Sequence, residues 1–166
     1  MRISGFIKES INEGDGLRTV IFFSGCPFRC NDCHNPESQN PEYGMEFSEE
    51  VQEKIIRYIK NNPLLDGITL CGGEPFLYPE EVLYFVLNLK KALPDINIWS
   101  YSGYTYEQLL EIPEKKALLE EIDVLIDGLF ISQLKDLTLK FRGSSNQRII
   151  DVQLSLYEDD VILYSN

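Results

Sequence analysis

A chain of 166 residues, 43% apolar and 25% charged, has the size and composition of one ordinary globular domain with material for a core, so residues 1–166 are expected to fold as a single domain. Its 15 Lys and Arg against 27 Asp and Glu leave a net charge of −12, which argues against a nucleic-acid partner, because phosphate-backbone binders carry a basic face. The opening MRISGFIKES has neither an apolar h-region nor a small-residue cleavage site, and no stretch approaches the roughly 18 apolar residues of a membrane span; the expectation is a soluble cytoplasmic protein with no membrane partner.

Taken in chain order, residues 18–24 (RTVIFFS) are β-branched and aromatic and predict a strand. Residues 31–44 hold two prolines and little periodicity and read as a loop. Ser48 is placed to cap a helix with Glu49 and Glu50 in its first turn, and Val51, Ile55 and Ile59 form its apolar stripe before Pro63. Residues 67–71 (GITLC) predict a strand. A second helix starts at Pro79 and ends before Pro94, with Val82, Phe85, Val86, Leu89 and Leu93 facing inward. Residues 96–101 predict a strand, Thr105 and Gln108 are spaced as a capping box, Pro113 begins another helix, and residues 122–127 predict a further strand. Apolar runs at 137–141, 148–154 and 161–164 also read as strands. Strands alternating with helices imply parallel pairing in an α/β sheet. A complete eightfold barrel takes roughly 250 residues, so the expectation is an open, partial TIM-like β/α barrel with a mostly parallel sheet.

Glycine-containing groups follow four of these strands: GCPFRCNDC after 18–24, CGGEP after 67–71, SGYT after 96–101 and DGLF after 122–127. In parallel α/β architectures such loops gather at the carboxyl ends of the strands, where ligand sites form. Four distant segments are thus expected to converge on one site.

Three of the four cysteines, Cys26, Cys30 and Cys33, lie in the first of these loops, and Cys71 stands apart. Clustering without a signal peptide points to metal or redox chemistry rather than a disulfide framework. Soft thiolates at this spacing suit an iron–sulfur cluster or zinc. Zinc wants four ligands, and His34 is an awkward fourth directly beside Cys33; a cluster with one open iron is favoured. A zinc or electron-transfer module without catalysis stays as an alternative. Gly72 and Gly73 either admit close backbone approach to a ligand or turn the chain, and Glu74 or nearby carbonyls can accept from an ammonium group. Cys71 reads as a small buried residue.

The CxxxCxxC run Cys26-Pro-Phe-Arg-Cys30-Asn-Asp-Cys33 resembles the motif of the radical S-adenosylmethionine enzymes, and GGEP at Gly72 to Pro75 resembles their second hallmark. NEGDGLRTVIFFSGC at 12–26 and CHNP at 33–36 are similar to the activases that install glycyl radicals. RGSSNQRIID at 142–151 resembles one branch of these, the activases of anaerobic ribonucleoside-triphosphate reductases. The resemblance implies a 4Fe-4S cluster held by Cys26, Cys30 and Cys33, and S-adenosyl-L-methionine contacted by Asp32, Cys33, His34, Gly72, Gly73 and Glu74. It implies reductive cleavage of that cofactor to methionine and a 5′-deoxyadenosyl radical, which abstracts hydrogen from a glycine of the reductase large subunit. It also implies a flavodoxin or ferredoxin-type electron donor. No catalytic residue beyond the cluster and cofactor is expected. A small radical enzyme acting on a small molecule, similar to the carboxy-deazaguanine synthases, is the alternative within the superfamily.

The sequence departs from the resemblance in two places. The position before the third cysteine is often aromatic and here is Asp32, which leaves the backbone from Asp32 to His34 to contact adenosine. Relatives bind a monovalent cation through two aspartates; Asp127 matches one, but Ser100 stands at the other, and no cation is assigned. His34, the one histidine, is expected to pack or hydrogen-bond within the loop. Arg18, Arg142 and Arg148 either hold the methionyl carboxylate or a partner's carboxylate, or form local ion pairs. Tyr101 and Tyr104 border the adenosine or belong to the core. Ser144 to Gln147 either cap an element or line the site.

Overall fold

β-branched and aromatic residues buried on both faces form the sheet's centre. In β2 (Arg18–Phe23) and β4 (Gly67–Gly72) nearly every side chain is buried, the pattern of parallel strands covered on both sides. A computed structural model describes residues 1–165. Among them, seven strands form one mixed, mostly parallel sheet in the order β3-β1-β2-β4-β5-β6-β7, where β1 is Arg2–Ser10, β3 Met45–Glu46, β5 Asn97–Tyr101, β6 Val124–Asp127 and β7 Arg148–Asp151. β2, β4, β5 and β6 run parallel; β1 joins β2, and β7 joins β6, antiparallel.

Five helices follow from the signals in the sequence: α1 (Glu49–Asn61), α2 (Pro79–Ala92), α3 (Tyr106–Leu110), α4 (Pro113–Leu119) and α5 (Val152–Glu158). The Ser48 hydroxyl accepts from Val51 N–H at the start of α1, the capping box of Thr105 and Gln108 opens α3, and Pro begins α2 and α4. The buried stripes of these helices join the alternate strand residues Ile21, Ile68, Leu70, Ile98, Leu125 and Ile150 in one apolar cluster. The opposite sheet face carries a smaller cluster around Trp99, Val124 and Ile126 with no helix over it. No helix among the described residues is long and apolar enough to cross a membrane.

The structure differs from the sequence reading in five places, one of them the two exposed residues of β3, which carry no strand signal. β1 was unassigned by pattern because Phe6 to Glu9 are exposed and Lys8 and Glu9 interrupt its apolar run. Residues 137–141 are not a strand; Leu137 is exposed and only an isolated bridge, Lys135 to Ser144, crosses this segment. The run 148–154 stops as a strand at Asp151, whose carboxylate accepts from Leu154 N–H and starts α5. Residues 161–164 contribute one isolated bridge, Leu163 to Ile150.

Candidate functional site

The loops after β2, β4, β5 and β6 meet at one end of the sheet, as their shared strand direction requires. A cavity of about 220 Å³ there is lined by residues of all four, including Cys26, Cys30, Cys33, Gly73, Gly103 and Gly128. The cysteine and glycine loops are sewn together through backbone: Gly73 N–H donates to Phe23 O at 2.8 Å, Glu74 N–H to Gly25 O at 2.8 Å, and Gly25 N–H to Ser38 O at 2.7 Å. A Cβ on Gly73 would lie 2.3 Å from the Gly25 carbonyl oxygen, and one on Gly72, at φ +99°, would lie 2.5 Å from Phe23 N. The glycine pair is required by this close approach.

All four cysteines are free thiols, half-buried around the cavity. Burial pushes Cys26 up to about 11 and raises Cys30. Backbone N–H groups act on the sulfurs against burial, that of Phe28 on Cys26 and those of Phe130 and Cys30 on Cys30. No group of three Cys, His, Asp or Glu side chains arranged around a single metal ion occurs among the described residues. Three thiols sharing one cavity with an open fourth direction suit a cluster larger than one ion, which spreads its ligands apart. Cys71 also lines the cavity, and burial pushes its thiol up to about 12.

Glu74 is buried, 2% exposed. Its Oε1 accepts from Phe76 N–H at 3.0 Å and Ser102 Oγ at 2.9 Å, and its Oε2 from Gly103 N–H at 2.7 Å. Desolvation raises its carboxyl to about 7 against these bonds. Glu74 thus ties the loop after β4 to the loop after β5. Phe28 from the cysteine loop packs edge-on to Tyr104 with ring centroids 4.8 Å apart, and a Cβ on Gly103 would strike the Phe28 ring. Tyr101 lines the cavity and donates to Phe141 O at 2.8 Å.

Asp32 sits in the left-handed region at φ +57°, and its carboxylate accepts from Ser132 Oγ at 2.5 Å. His34 is exposed and stacks edge-on to Phe130 at 5.6 Å. Both residues of the cysteine loop are therefore clasped by the segment after β6. That segment returns to the same end because β7 is antiparallel to β6, with Asp127 opposite Arg148. This settles the position of RGSSNQ: Gln147 lines the cavity, its Oε1 accepts from Gly143 N–H and Ser144 N–H, and its Nε2 donates to Gly128 O.

The arginines are local. Arg18, 1% exposed, lies at the start of β2, the far end of the sheet. Its guanidinium donates to Thr69 Oγ1, Asp15 O, Ile68 O and Asn97 O, and burial lowers its pKa to about 10. Arg148 binds both oxygens of Asp127 and both of Glu107, which holds the Glu107 carboxyl down at about 2. Asp127 also accepts from Tyr106 N–H. Arg142 donates to Gln147 O. Phe28 and Phe130 are site residues with no role expected from the sequence, since their apolar character carries no chemical signal; Gln147 lines the cavity, one of the two roles expected for residues 144–147.

A family model described as a 4Fe-4S single cluster domain matches residues 12–150. An anaerobic ribonucleoside-triphosphate reductase-activating protein of Haemophilus influenzae is 39% identical over 87% of this chain and 94% of its own length. Proteins of the same name from Escherichia coli K12 and phage T4 are each 33% identical, over 89% and 82% of this chain and 96% and 85% of their own lengths. At that identity, along nearly the whole of both chains, this chain belongs to the family of anaerobic ribonucleoside-triphosphate reductase-activating proteins.

Proposed function

We propose that this chain is a radical S-adenosylmethionine oxidoreductase that generates the glycyl radical of an anaerobic ribonucleoside-triphosphate reductase. The observation that carries the reading is the cavity in which three free thiols from one loop face the Gly72–Gly73 backbone of another. When bound, the 4Fe-4S cluster and S-adenosyl-L-methionine supply one-electron cleavage to a 5′-deoxyadenosyl radical that takes hydrogen from a glycine of the reductase large subunit.

The chain's residues have distinct duties toward these groups. Cys26, Cys30 and Cys33 ligate iron as thiolates, and the Phe28 and Phe130 N–H groups stabilise the charge on the first two sulfurs. Gly72 and Gly73 offer carbonyl groups to the methionyl ammonium. Glu74 uses three of roughly four acceptor positions on its own loops, leaving one toward the ligand. Backbone from Asp32 through Cys33 to His34, held by Ser132 and Phe130, faces the adenosine. The helices cover one sheet face only and the edge strands β3 and β7 do not pair, as suits a partial, open TIM-like barrel. The core that draws on residues from Ile3 to Val152 suits one domain over 1–166. The electron donor we propose is of the flavodoxin or ferredoxin type.

Anaerobic reconstitution with iron and sulfide, then dithionite and S-adenosylmethionine, is expected to yield 5′-deoxyadenosine. Added reductase large subunit should then show a glycyl doublet in electron paramagnetic resonance. Cys26→Ala, Cys30→Ala and Cys33→Ala each abolish both products, whereas Cys71→Ser retains them. Zinc binding without iron, or turnover of a small molecule with no doublet, would sink the reading.

A further inference from the structure

The segment between β6 and β7 is a loop whose two feet stand on the cavity and whose tip faces away from it. Gly128 and Phe130 at one foot, and Gly143 and Gln147 at the other, line the cavity. Between the feet, Asn146 donates to Leu129 O, Ile131 N–H to Ser144 Oγ, Ser145 N–H to Leu134 O and Asp136 N–H to Gly143 O. These bonds make the loop a built structure rather than a slack connection.

Its outward surface combines exposed apolar side chains with basic charge. Leu137 is 83% exposed and Leu134 42%, with Leu129 and Ile131 exposed nearer the feet. Single exposed aliphatic side chains are ordinary; three leucines and an isoleucine in one ordered loop at a cavity rim are the composition of a contact surface. The charge is reversed as well. In a chain with 15 basic against 27 acidic residues, residues 129–142 hold Lys135, Lys140 and Arg142 against Asp136 alone. The Asp136 carboxylate stays at the surface, where it accepts from Thr138 N–H at 2.8 Å and from its hydroxyl at 2.6 Å, so three cations face one anion there. Lys135 and Lys140 are left exposed beside the leucines.

We propose that residues 134–140 are the docking surface for the protein substrate, and that they grip an acidic surface with apolar side chains flanking the target glycine. An apolar centre with a cationic rim selects an apolar surface with an anionic rim. An anionic partner is otherwise repelled by this acidic chain, so the loop supplies the local attraction and orientation. Because its feet line the cavity, a partner held at the tip presents the adjoining segment to the thiol loop. The proposal rests on the activase reading.

The test uses reconstituted holoenzyme carrying Leu137→Glu, or Lys135→Glu with Lys140→Glu. Without protein substrate, both variants should form 5′-deoxyadenosine within about twofold of the parent, since exposed substitutions scarcely disturb folding. With subsaturating reductase large subunit, the glycyl doublet should form about tenfold more slowly, and recover at high subunit concentration, as loss of one central contact predicts. The parent's rate should fall between about 50 and 300 mM salt, and the charge variant's should fall less. An unchanged doublet rate in both variants overturns the proposal. A change from dimer to monomer on gel filtration with an unchanged doublet would assign the tip to a second copy of this chain and also overturn it. Absence of a doublet from the unsubstituted protein strikes the activase reading instead.

Discussion

With 2% of its surface exposed and three neutral donors around it, Glu74 carries a buried carboxylate that joins two of the four site loops. Its ordinary value of 4.5 rises to about 7 on folding, because burial costs the charged form more than the donors return. Between those two values the native state binds more protons than the unfolded chain, so this group's contribution falls as pH rises through the window. A shift of that size corresponds to about 3 kcal/mol. Glu74→Gln should lower stability at pH 5 and flatten its decline between pH 5 and 7.5, measured as denaturant midpoints of the anaerobic protein. An unchanged slope would show that Glu74 is ionised throughout. Arg148 offers a second test. It covers Asp127, which is 1% exposed, with both guanidinium arms. Arg148→Ala should cost about 3 kcal/mol by stranding a buried carboxylate, and Asp127→Asn should recover most of that loss in a double-mutant cycle.

At the level of elements, the loops after β2 and β4 act as one unit, because Gly73 and Glu74 donate to carbonyls of the preceding strand and cysteine loop. Gly73→Ala drives a Cβ into the Gly25 carbonyl at 2.3 Å, with backbone on both sides and no flexible side chain to yield. Iron and sulfide content after reconstitution should fall sharply, while α1 and α2 keep the helical circular dichroism of the parent. From β2 to β6 the parallel strands and their helices were legible in the sequence, since buried parallel strands give unbroken apolar runs and their helices carry caps and four-residue stripes, though the two exposed residues of β3 were not. β1 was not, because a strand with mostly exposed side chains has no apolar period to read. The stretch 137–141 misled for the converse reason: Leu137, Leu139 and Phe141 alternate as a strand would, but nothing pairs with them along the chain. Asp151 did carry a signal, an N-cap residue ahead of α5, masked by the apolar run on either side. The cysteine and GGEP loops were found from spacing. The clasp of Asp32 by Ser132 was not, since it joins residues far apart in sequence.

Seen whole, the molecule divides its labour between the two ends of the sheet. Where the central strands finish, glycines, thiols and one buried carboxylate face the cavity. Where they begin, Arg18 binds three strands, reaching Thr69 and Ile68 of β4 and Asn97 of β5 from its own place on β2. Arg18→Met should lower the unfolding free energy, measured by denaturant titration, by about 2–3 kcal/mol, since several buried acceptors lose their donor at once. The yield of 5′-deoxyadenosine per bound cluster in the surviving folded protein should stay near the parent's. A fall in that ratio would mean that the two ends are coupled.

The pairing of Asp127 with Arg148 closes the base of the loop that lies between β6 and β7. Once the base is pinned, lengthening the loop is cheap: doubling a flexible closed segment adds only about 0.6 kcal/mol of closure entropy. Insertions and deletions near its tip therefore leave the sheet and the thiol loop undisturbed. Length and composition can change there while the chemical centre stays unaltered, so an address can be rewritten without rebuilding the machine.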